Sequence, residues 1–185
     1  MNVTFITGNQ QKADFLAKYL GHKVEHKKLE IDEIQSLDLH EVADRKVRQA
    51  YAQLKSPVLI EDVSLVFNAL GNLPGPFIKW FEEELGLEDL CRLLDGYSDR
   101  SAIARVTYAF YDGKILKFFE GRVEGTITDA IRQGLNSFGW NSIFVPKGST
   151  KAYVELTEEE LKTQSFRTST IYPELKKFLA NLDKD

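Results

Sequence analysis

Cysteine is nearly absent from this sequence, since Cys91 is the only one among 185 residues. No intrachain disulfide can form, which fits a reducing compartment, and we therefore expect a cytoplasmic protein. Cys91 shares helical spacing with Leu87, Leu90 and Leu94, which indicates a core position and not a nucleophile. The apolar runs are short and no basic segment precedes the first of them, so neither a membrane span nor a signal peptide is expected.

Dense blocks of basic residues are also missing, and the net charge is −4. We therefore expect no nucleic-acid partner and no membrane partner. The three histidines, at positions 22, 26 and 40, lack the spacing of a zinc site. The composition, 43% hydrophobic and 28% charged, is that of an ordinary globular protein. The length favours one domain with room for two lobes.

Among the features that are present, a strand-to-helix turn lies near the start of the chain. Val3 to Thr7 predicts a short buried strand, and Gln10 to Leu20 predicts a helix. The N–H groups at such a helix start can bind an anion, and Lys12 adds a positive charge that phosphate oxygens can use. The turn has neither Walker A spacing nor the glycine pattern of a dinucleotide site. Two interpretations stay open, a phosphate site and an ordinary helix start capped by Asn9.

The clearest helical pattern runs from Leu39 to Leu54. Its apolar stripe consists of Leu39, Val42, Ala43, Val47, Ala50, Tyr51 and Leu54. Lys46 falls inside this stripe, not opposite it. The pattern leaves open whether this lysine extends past the edge of the core into solvent or directs its ammonium into a cleft.

A second apolar run, Val58 to Ile60, predicts a buried strand that ends in Glu61 and Asp62, although Val63 to Leu70 has the composition to continue it. Acidic residues at the end of a buried strand are where α/β proteins often place ligands. The alternative is a strand that reaches solvent at this point. Adjacent strand residues point to opposite faces, so the two acids would not face the same site.

The rest of the chain alternates between turn signals and regular elements. Helical spacing is found at Phe77 to Leu85, at Leu87 to Asp95 before Gly96, after the capping box at Thr157 to Glu160, and around Leu175 to Leu182. Strand patterns are found at Ser101 to Tyr111, at Ile115 to Ile127 after the Asp112-Gly113 turn, and at Asn141 to Val145. Thr128 to Phe138 predicts a loop.

Four segments occur in an order and at intervals that match one protein family. They are Thr7-Gly8-Asn9 with Lys12, Glu61 to Leu65, Leu73 to Phe81, and Phe138-Gly139-Trp140, with Ser165-Phe166-Arg167 as a weaker fifth. Together they cover nearly the whole chain, and Leu73 to Phe81 is especially specific. On these residues the chain resembles the inosine triphosphate pyrophosphatases, which remove non-canonical purine nucleotides from the nucleotide pool.

This resemblance implies an elongated α/β fold with two lobes, a long mixed β-sheet flanked by helices, and an active-site cleft between the lobes. Residues 1–185 would form a single catalytic domain, and the protein would be a homodimer. The implied reaction is the Mg²⁺-dependent hydrolysis of inosine or xanthosine triphosphate, or of their deoxy forms. The products would be the nucleoside monophosphate and pyrophosphate.

The resemblance also implies a role for each matching residue. Phosphate would be held by Thr7, Gly8, Asn9, Lys12, Lys46 and Lys79. Mg²⁺ would be held by Glu33 and Asp62, and Asp62 would also activate the attacking water, with Lys12 as a second catalytic residue. The base would be bound by Phe138, Gly139, Trp140, Asn141 and Arg167. Hard oxygen ligands and positive charges suit a magnesium triphosphate chemically.

Several positions depart from the family pattern. The family usually has glutamate at the place of Phe15, aspartate at the place of Asn141, lysine at the place of Leu161, and histidine at the place of Phe166. Lys162 follows Leu161, but one residue round a helix is a turn of about 100°. A phenyl ring cannot donate the hydrogen bond that reads a 6-keto oxygen.

The changes at Asn141 and Phe166 fall on the base side, whereas the phosphate lysines and the two acids are intact. We therefore predict that the hydrolysis is retained and that base discrimination is loosened. The alternatives are the same hydrolysis with a different base preference, and a nucleotide-binding protein that has lost catalysis.

Overall fold

The computed structural model describes residues 3–21, 23–165 and 167–182 of the chain. Within them the strands are β1 (Thr4–Ile6), β2 (Glu25–Lys27), β3 (Val58–Phe67), β4 (Pro74–Gly75), β5 (Ser101–Tyr111), β6 (Leu116–Ile127) and β7 (Phe144–Pro146). The α-helices are α1 (Gln10–Leu20), α2 (Leu39–Leu54), α3 (Ile78–Arg92), α4 (Glu158–Gln164) and α5 (Tyr172–Leu182). None of these helices has the length and apolar composition needed to cross a membrane.

The strands of the described residues form one sheet. Its order is β2-β1-β3-β5-β6-β7, and β4 pairs with β3 outside this path. Both neighbours of β1 run parallel to it, whereas β4 is antiparallel to β3 and β7 is antiparallel to β6. The predicted mixed sheet flanked by helices is thus confirmed, and β2 forms one edge of it.

Two compact units divide the chain. The first contains the described residues up to Asp62, then Val106–Gly121, and then those from Arg167 onward. The second contains Val63–Arg105 and the described residues between 122 and 166. The single domain with two lobes stays a prediction, as do the elongated shape and the cleft.

Helix α1 in the first unit begins and ends at the residues that the sequence predicts. The Asn9 side chain accepts a hydrogen bond from the Lys12 N–H, and Gly21 ends the helix with a φ of 83°. The buried face of α1 consists of Ala13, Leu16 and Leu20. A left-handed residue at this position favours glycine because glycine has no Cβ to clash. The local sequence is therefore sufficient to set both ends of this helix.

Helix α2 also has its predicted bounds, and it covers the apolar centre of the first unit. This cluster contains Ile6, Ala43, Val47, Ala50, Val58, Ile60 and Ala109. The residues come from α2 and from three neighbouring strands, so the stripe read from the sequence packs against the sheet. Lys46 lies on the same helix and projects from the edge of this packed face.

Two sequence predictions need correction. Strand β3 does not end at Glu61 and Asp62 but continues to Phe67, because residues 63–67 pair with neighbouring strands and stay largely buried. The two acids therefore lie in the middle of a strand. The predicted strand at Asn141 to Val145 begins only at Phe144, since Gly139–Ser142 form a 3₁₀ turn.

Other predictions are confirmed closely. Helix α3 is broken at Gly86, whose φ of 75° is not helical, so the two predicted helices meet there. Asp112 closes the β5–β6 turn by accepting hydrogen bonds from the N–H groups of Lys114 and Ile115. The capping box of α4 forms between Thr157 and Glu160. Residues 167–171 form a π-helical turn that leads into α5.

Candidate active site

Strand β3 carries two adjacent carboxylates, Glu61 and Asp62, where the chain leaves the first unit. Successive side chains of a strand point to opposite faces, so the two acids meet different neighbours. Glu61 contacts Lys12, Arg167 and Tyr108. Asp62 contacts Lys46. The strand therefore separates two charge clusters that differ in composition.

The first cluster is centred on Glu61, whose side chain is only 2% exposed. One carboxylate oxygen, Oε1, lies 2.7 Å from a guanidinium nitrogen of Arg167 and 3.2 Å from Nζ of Lys12. The other oxygen, Oε2, accepts a short hydrogen bond from the hydroxyl of Tyr108. The Tyr108 hydroxyl lies 3.1 Å from that of Tyr172. Both oxygens of Glu61 are thus engaged.

These contacts decide the ionisation of Glu61. Burial raises the pKa of its carboxyl, but Arg167 and Lys12, with the Tyr108 hydrogen bond, outweigh burial and lower the pKa to about 2. Burial and the negative charge of Glu61 raise the pKa of Tyr108. Glu61 is therefore a permanent anion near neutral pH, and Tyr108 stays protonated as its donor.

The second cluster joins Asp62 to Glu33 through Lys46. The Lys46 ammonium donates to Oδ1 of Asp62 at 2.7 Å and to Oε1 of Glu33 at 2.8 Å. Glu33 belongs to the segment between β2 and α2, and its side chain is 38% exposed. Lys46 therefore does not simply extend into solvent, because its ammonium bridges two carboxylates.

Burial and charge act differently in this second cluster. Burial raises the pKa of Asp62, and the attraction of Lys46 only partly offsets it. Burial works against the charge of Lys46, but Asp62 and Glu33 outweigh this and raise the pKa of its ammonium. Lys12 also lowers the pKa of Asp62 through its charge, so the two clusters influence each other electrostatically.

The ion pairs shown for the described residues differ between the two clusters. Two cations, Lys12 and Arg167, approach the single carboxylate of Glu61. Two carboxylates, Asp62 and Glu33, approach the single ammonium of Lys46. An excess positive charge favours an anion, and an excess negative charge favours a cation.

The turn before α1 brings its own donors next to the first cluster, through Lys12. The Thr7 hydroxyl accepts from the Asn9 N–H at 3.0 Å, and the Asn9 side chain accepts from the Lys12 N–H at 3.2 Å. The N–H groups of residues 10 and 11 have no acceptor within the helix. A Cβ on Gly8 would lie 3.2 Å from the side chain of Lys28, so glycine permits this close approach.

The residues of the second cluster suit a hard divalent cation. Asp62 Oδ2 is buried and has no hydrogen-bond partner. Among the side-chain oxygens and nitrogens of the described residues, Gln164 Oε1 is the only other buried atom without one. Within those same residues, no group of three or more His, Cys, Asp or Glu side chains is arranged to hold a metal. Mg²⁺ keeps several waters and needs only one or two carboxylates, so Asp62 and Glu33 fit it.

The other predicted site residues belong to the second unit. Lys79 is exposed on α3, with its ammonium 5.1 Å from the ring centre of Trp80. Helix α3 packs against the 3₁₀ turn that follows Phe138. Gly139 opens this turn with a φ of 50°, and a Cβ there would lie 3.6 Å from a carboxylate oxygen of Glu82.

Within that turn, Trp140 and Asn141 have different surroundings. Trp140 is 6% exposed and packs against the rings of Phe144 and Tyr153, which is a core position. Asn141 is partly buried and donates to the backbone oxygen of Asn136 at 3.1 Å. Phe138 is half-buried. Core packing therefore accounts for Trp140, whereas Phe138 and Asn141 keep accessible surface.

The positions that depart from the family pattern are placed as follows. Phe15 is 39% exposed, and its ring centre lies 5.9 Å from that of Tyr172. Leu161 is half-buried on α4, and Lys162 is exposed beside it. Phe166 lies outside the described residues.

Sequence reasoning assigned no role to Glu61 and assigned Arg167 to the base. In the structure Glu61 joins α1, β5 and the C-terminal segment in one buried cluster, with Tyr108 and Tyr172 beside it. The only signal in the sequence was an acidic residue inside an otherwise apolar strand. The pairing with Arg167, 106 residues further along the chain, had no local signature.

Comparison with known proteins gives concordant matches along the chain. The model of the Ham1 family matches residues 3–176. The chain is 40% identical to an inosine triphosphate pyrophosphatase of Yarrowia lipolytica, over 97% of this chain and 96% of that protein. It is also 40% identical to inosine triphosphate pyrophosphatase 2 of Trypanosoma cruzi, over 91% of this chain and 88% of that protein.

A solved structure supports the fold. The Ham1 protein of Staphylococcus aureus superposes with a TM-score of 0.81, over 97% of this chain and 98% of that chain. The sequence identity is 24%, so this likeness concerns the fold alone.

Proposed function

The chain belongs to the Ham1 family, and from this premise we propose that it is an enzyme that hydrolyses non-canonical purine nucleoside triphosphates. The products are the monophosphate and pyrophosphate, and the substrates are inosine and xanthosine triphosphates with their deoxy forms. The names of two relatives that are 40% identical support this activity. Its cellular role is to keep such nucleotides out of the pool.

One observation in the structure carries the proposal: the separation of charge across β3. On the Glu61 side, two cations approach one carboxylate, and on the Asp62 side, two carboxylates approach one ammonium, with the buried Oδ2 of Asp62 left without a hydrogen-bond partner. A magnesium triphosphate presents the complementary pair, an anionic chain and a divalent cation. No single ion satisfies both clusters, and this favours a substrate that brings both charges.

On the phosphate side, Lys12 and the start of α1 supply the donors. The Lys12 ammonium, the Thr7 hydroxyl and the N–H groups of the first helical turn bind phosphate oxygens. Lys46 contributes a second ammonium when its carboxylate partners are shared with a metal. These cations stabilise the negative charge that develops on the pyrophosphate leaving group.

On the other side, Asp62 and Glu33 hold Mg²⁺, and Asp62 is the group that orients the attacking water. When bound, Mg²⁺ supplies a positive charge that neutralises the phosphate oxygens. Burial raises the pKa of Asp62, which makes its carboxylate a better proton acceptor than an exposed aspartate. Lys46 holds Oδ1 of Asp62, so Oδ2 is the oxygen left to accept a hydrogen bond from water.

The roles of Lys79, Phe138, Gly139, Trp140 and Asn141 in binding the substrate remain proposals from the family resemblance. The Phe138 ring stacks on the base, and Asn141 presents an amide to its edge. The homodimer and the cytoplasmic location are proposals of the same kind. Light scattering on the purified protein tests the dimer, and a monomer at micromolar concentration contradicts it.

A second candidate has the same chemistry with relaxed base selectivity. The observation that favours it is the pairing of Arg167 with Glu61, because a guanidinium held by a buried carboxylate has fewer donors for a base. The amide at Asn141 offers donors where the family usually has an acceptor only. Under this proposal, adenosine and guanosine triphosphates are also hydrolysed at appreciable rates.

A nucleotide panel with Mg²⁺ and a pyrophosphate readout tests both candidates. The panel contains inosine, xanthosine, adenosine, guanosine, cytidine and uridine triphosphates at equal concentrations. Release of pyrophosphate from inosine and xanthosine triphosphates only supports the first candidate. Similar kcat/KM values for all purines support the second. Release from none of them overturns the enzymatic function.

A further inference from the structure

The carboxylate of Glu61 is shared between two cations that come from distant parts of the chain. Oε1 lies 3.2 Å from Lys12 Nζ and 2.7 Å from the Arg167 guanidinium, and the side chain is almost fully buried. Oε2 is taken by the Tyr108 hydroxyl. Three donors thus share the two oxygens of Glu61, and the side chain is only 2% exposed, so its accepting capacity is directed mainly at other side chains of the protein.

The two cations would repel each other without this carboxylate. Their charged groups approach the same oxygen atom, and like charges that lie close together repel each other more strongly in a buried site than in water. The oxygen between them therefore fixes where each can lie. Lys12 in particular has a flexible four-carbon side chain, and the 3.2 Å contact with Glu61 restricts where its ammonium can lie.

We propose that Glu61 is a positioning residue, which holds the Lys12 ammonium in place for the triphosphate, and that Arg167 secures Glu61 in this task. The proposal rests on the function proposed above and adds roles for both residues. Glu61 itself touches neither the substrate nor the metal. The C-terminal segment thereby acts on phosphate binding through Arg167.

The alternative is that Glu61 and Arg167 only attach the C-terminal segment to the sheet. In that case their loss lowers stability but does not act specifically through Lys12. Kinetic coupling between Glu61 and Lys12 separates the two possibilities, because a structural attachment has no reason to depend on the Lys12 side chain.

A double-mutant cycle of Glu61→Gln and Lys12→Met tests the proposal. Each single variant is expected to raise the KM for inosine triphosphate by about tenfold to a hundredfold, the range for a lost hydrogen bond to a charged group. The double variant is expected to match Lys12→Met alone, because Glu61 acts through Lys12. Additive effects in the double variant overturn the proposal.

The same double-mutant cycle can be measured without turnover. Calorimetry gives the dissociation constant of inorganic tripolyphosphate, in the absence of metal, for the wild type, the two single variants and the double variant. The same non-additivity is expected in its dissociation constant. This measurement still tests the positioning role if no nucleotide is hydrolysed, so failure of the proposed function and failure of this inference are distinguishable. Wild-type affinity for tripolyphosphate in Glu61→Gln overturns the inference.

Three further variants serve as controls and as a test of Arg167. Glu61→Asp keeps the charge and should restore part of the affinity, whereas Glu120→Gln, on an exposed position of β6, should leave it unchanged. Arg167→Met should weaken the binding of metal-free tripolyphosphate, as Glu61→Gln does, because it removes the group that secures Glu61. Wild-type tripolyphosphate affinity in Arg167→Met overturns the role proposed here for Arg167. Circular dichroism at the assay temperature confirms that each variant is folded.

Discussion

Glu61 and Asp62 are neighbours in sequence and chemically alike, yet they have opposite environments. Burial opposes ionisation at both positions, but two cations outweigh it at Glu61 and one ammonium does not at Asp62. Glu61 is consequently satisfied and inert, whereas Asp62 keeps a buried oxygen without a partner. Pairs of carboxylates whose pKa values are moved apart by their surroundings are how active sites divide roles between similar groups.

The largest effect is expected from neutralising the reactive member of this pair. Asp62→Asn should lower kcat by about 10²–10⁴, the usual contribution of a general base, because an amide cannot take the proton of the attacking water. Steady-state pyrophosphate release measures this, and calorimetry should show that tripolyphosphate binding is largely kept. If kcat stays within threefold of the wild type, the assignment of Asp62 is wrong.

The same change one residue earlier should act on stability, in addition to the effect on substrate binding expected above. Glu61→Gln leaves Arg167 and Lys12 without a counter-charge in a buried site, and losing one partner of a buried ion pair destabilises by about 3–5 kcal/mol. Urea unfolding of the metal-free protein measures this difference. Glu120→Gln, on an exposed strand position, is the matched control and should change the free energy of unfolding by less than about 0.5 kcal/mol. An unfolding free energy of Glu61→Gln equal to that of the control would refute the ion-pair argument.

The free energy of unfolding should depend on acid pH through Glu61, because the pKa of this carboxyl is lowered in the folded protein. The pKa of Glu61 is lowered from 4.5 to about 2 in the folded protein, so its contribution is present above pH 4.5 and is lost as the pH falls towards 2. Integrated over this window, the contribution is about 3 kcal/mol. In chelator-treated samples, Glu61→Gln should flatten the fall in stability between pH 4.5 and 2. An acid limb as steep as that of the wild type contradicts the lowered pKa.

The smallest effect is expected on the stability of the Asp62→Asn variant. This substitution should stabilise the metal-free protein, whereas Glu61→Gln should destabilise it. Because the folded state raises the pKa of Asp62, its ionised form disfavours folding, and neutralising it should raise the melting temperature of the metal-free protein. Added Mg²⁺ should stabilise the wild type and not this variant, since a ligand stabilises only the state that binds it. A lower melting temperature without metal, or an equal Mg²⁺ response, argues against this account of Asp62.

Much of the site was accessible from the sequence because its residues carry local signatures. Lys46 stood out as a charge inside an apolar helical stripe, and the bounds of α1 and α2 followed from caps and periodicity. The motif resemblance supplied Glu33 as a partner for Asp62, and the structure joins the two through Lys46. Their roles towards metal and substrate stay predictions.

Other features had no local signature. The end of β3 was placed too early because Glu61 and Asp62 were interpreted as a strand end, whereas pairing with neighbouring strands carries β3 to Phe67. The strand predicted to begin at Asn141 begins three residues later, since Gly139 adopts a positive φ and starts a 3₁₀ turn.

The order of residues alone determined the helix ends, the hairpin at Asp112 and the placement of the acids on one strand, since these depend on neighbours within a few positions. Only the tertiary structure decided which of the two acids is satisfied. That outcome depends on Lys12 and Arg167, which lie 49 residues before and 106 residues after Glu61 and meet it through packing of the sheet with α1 and the C-terminal segment. Electrostatic environment is a property of distance in space, and the chain sets that distance only when it is folded.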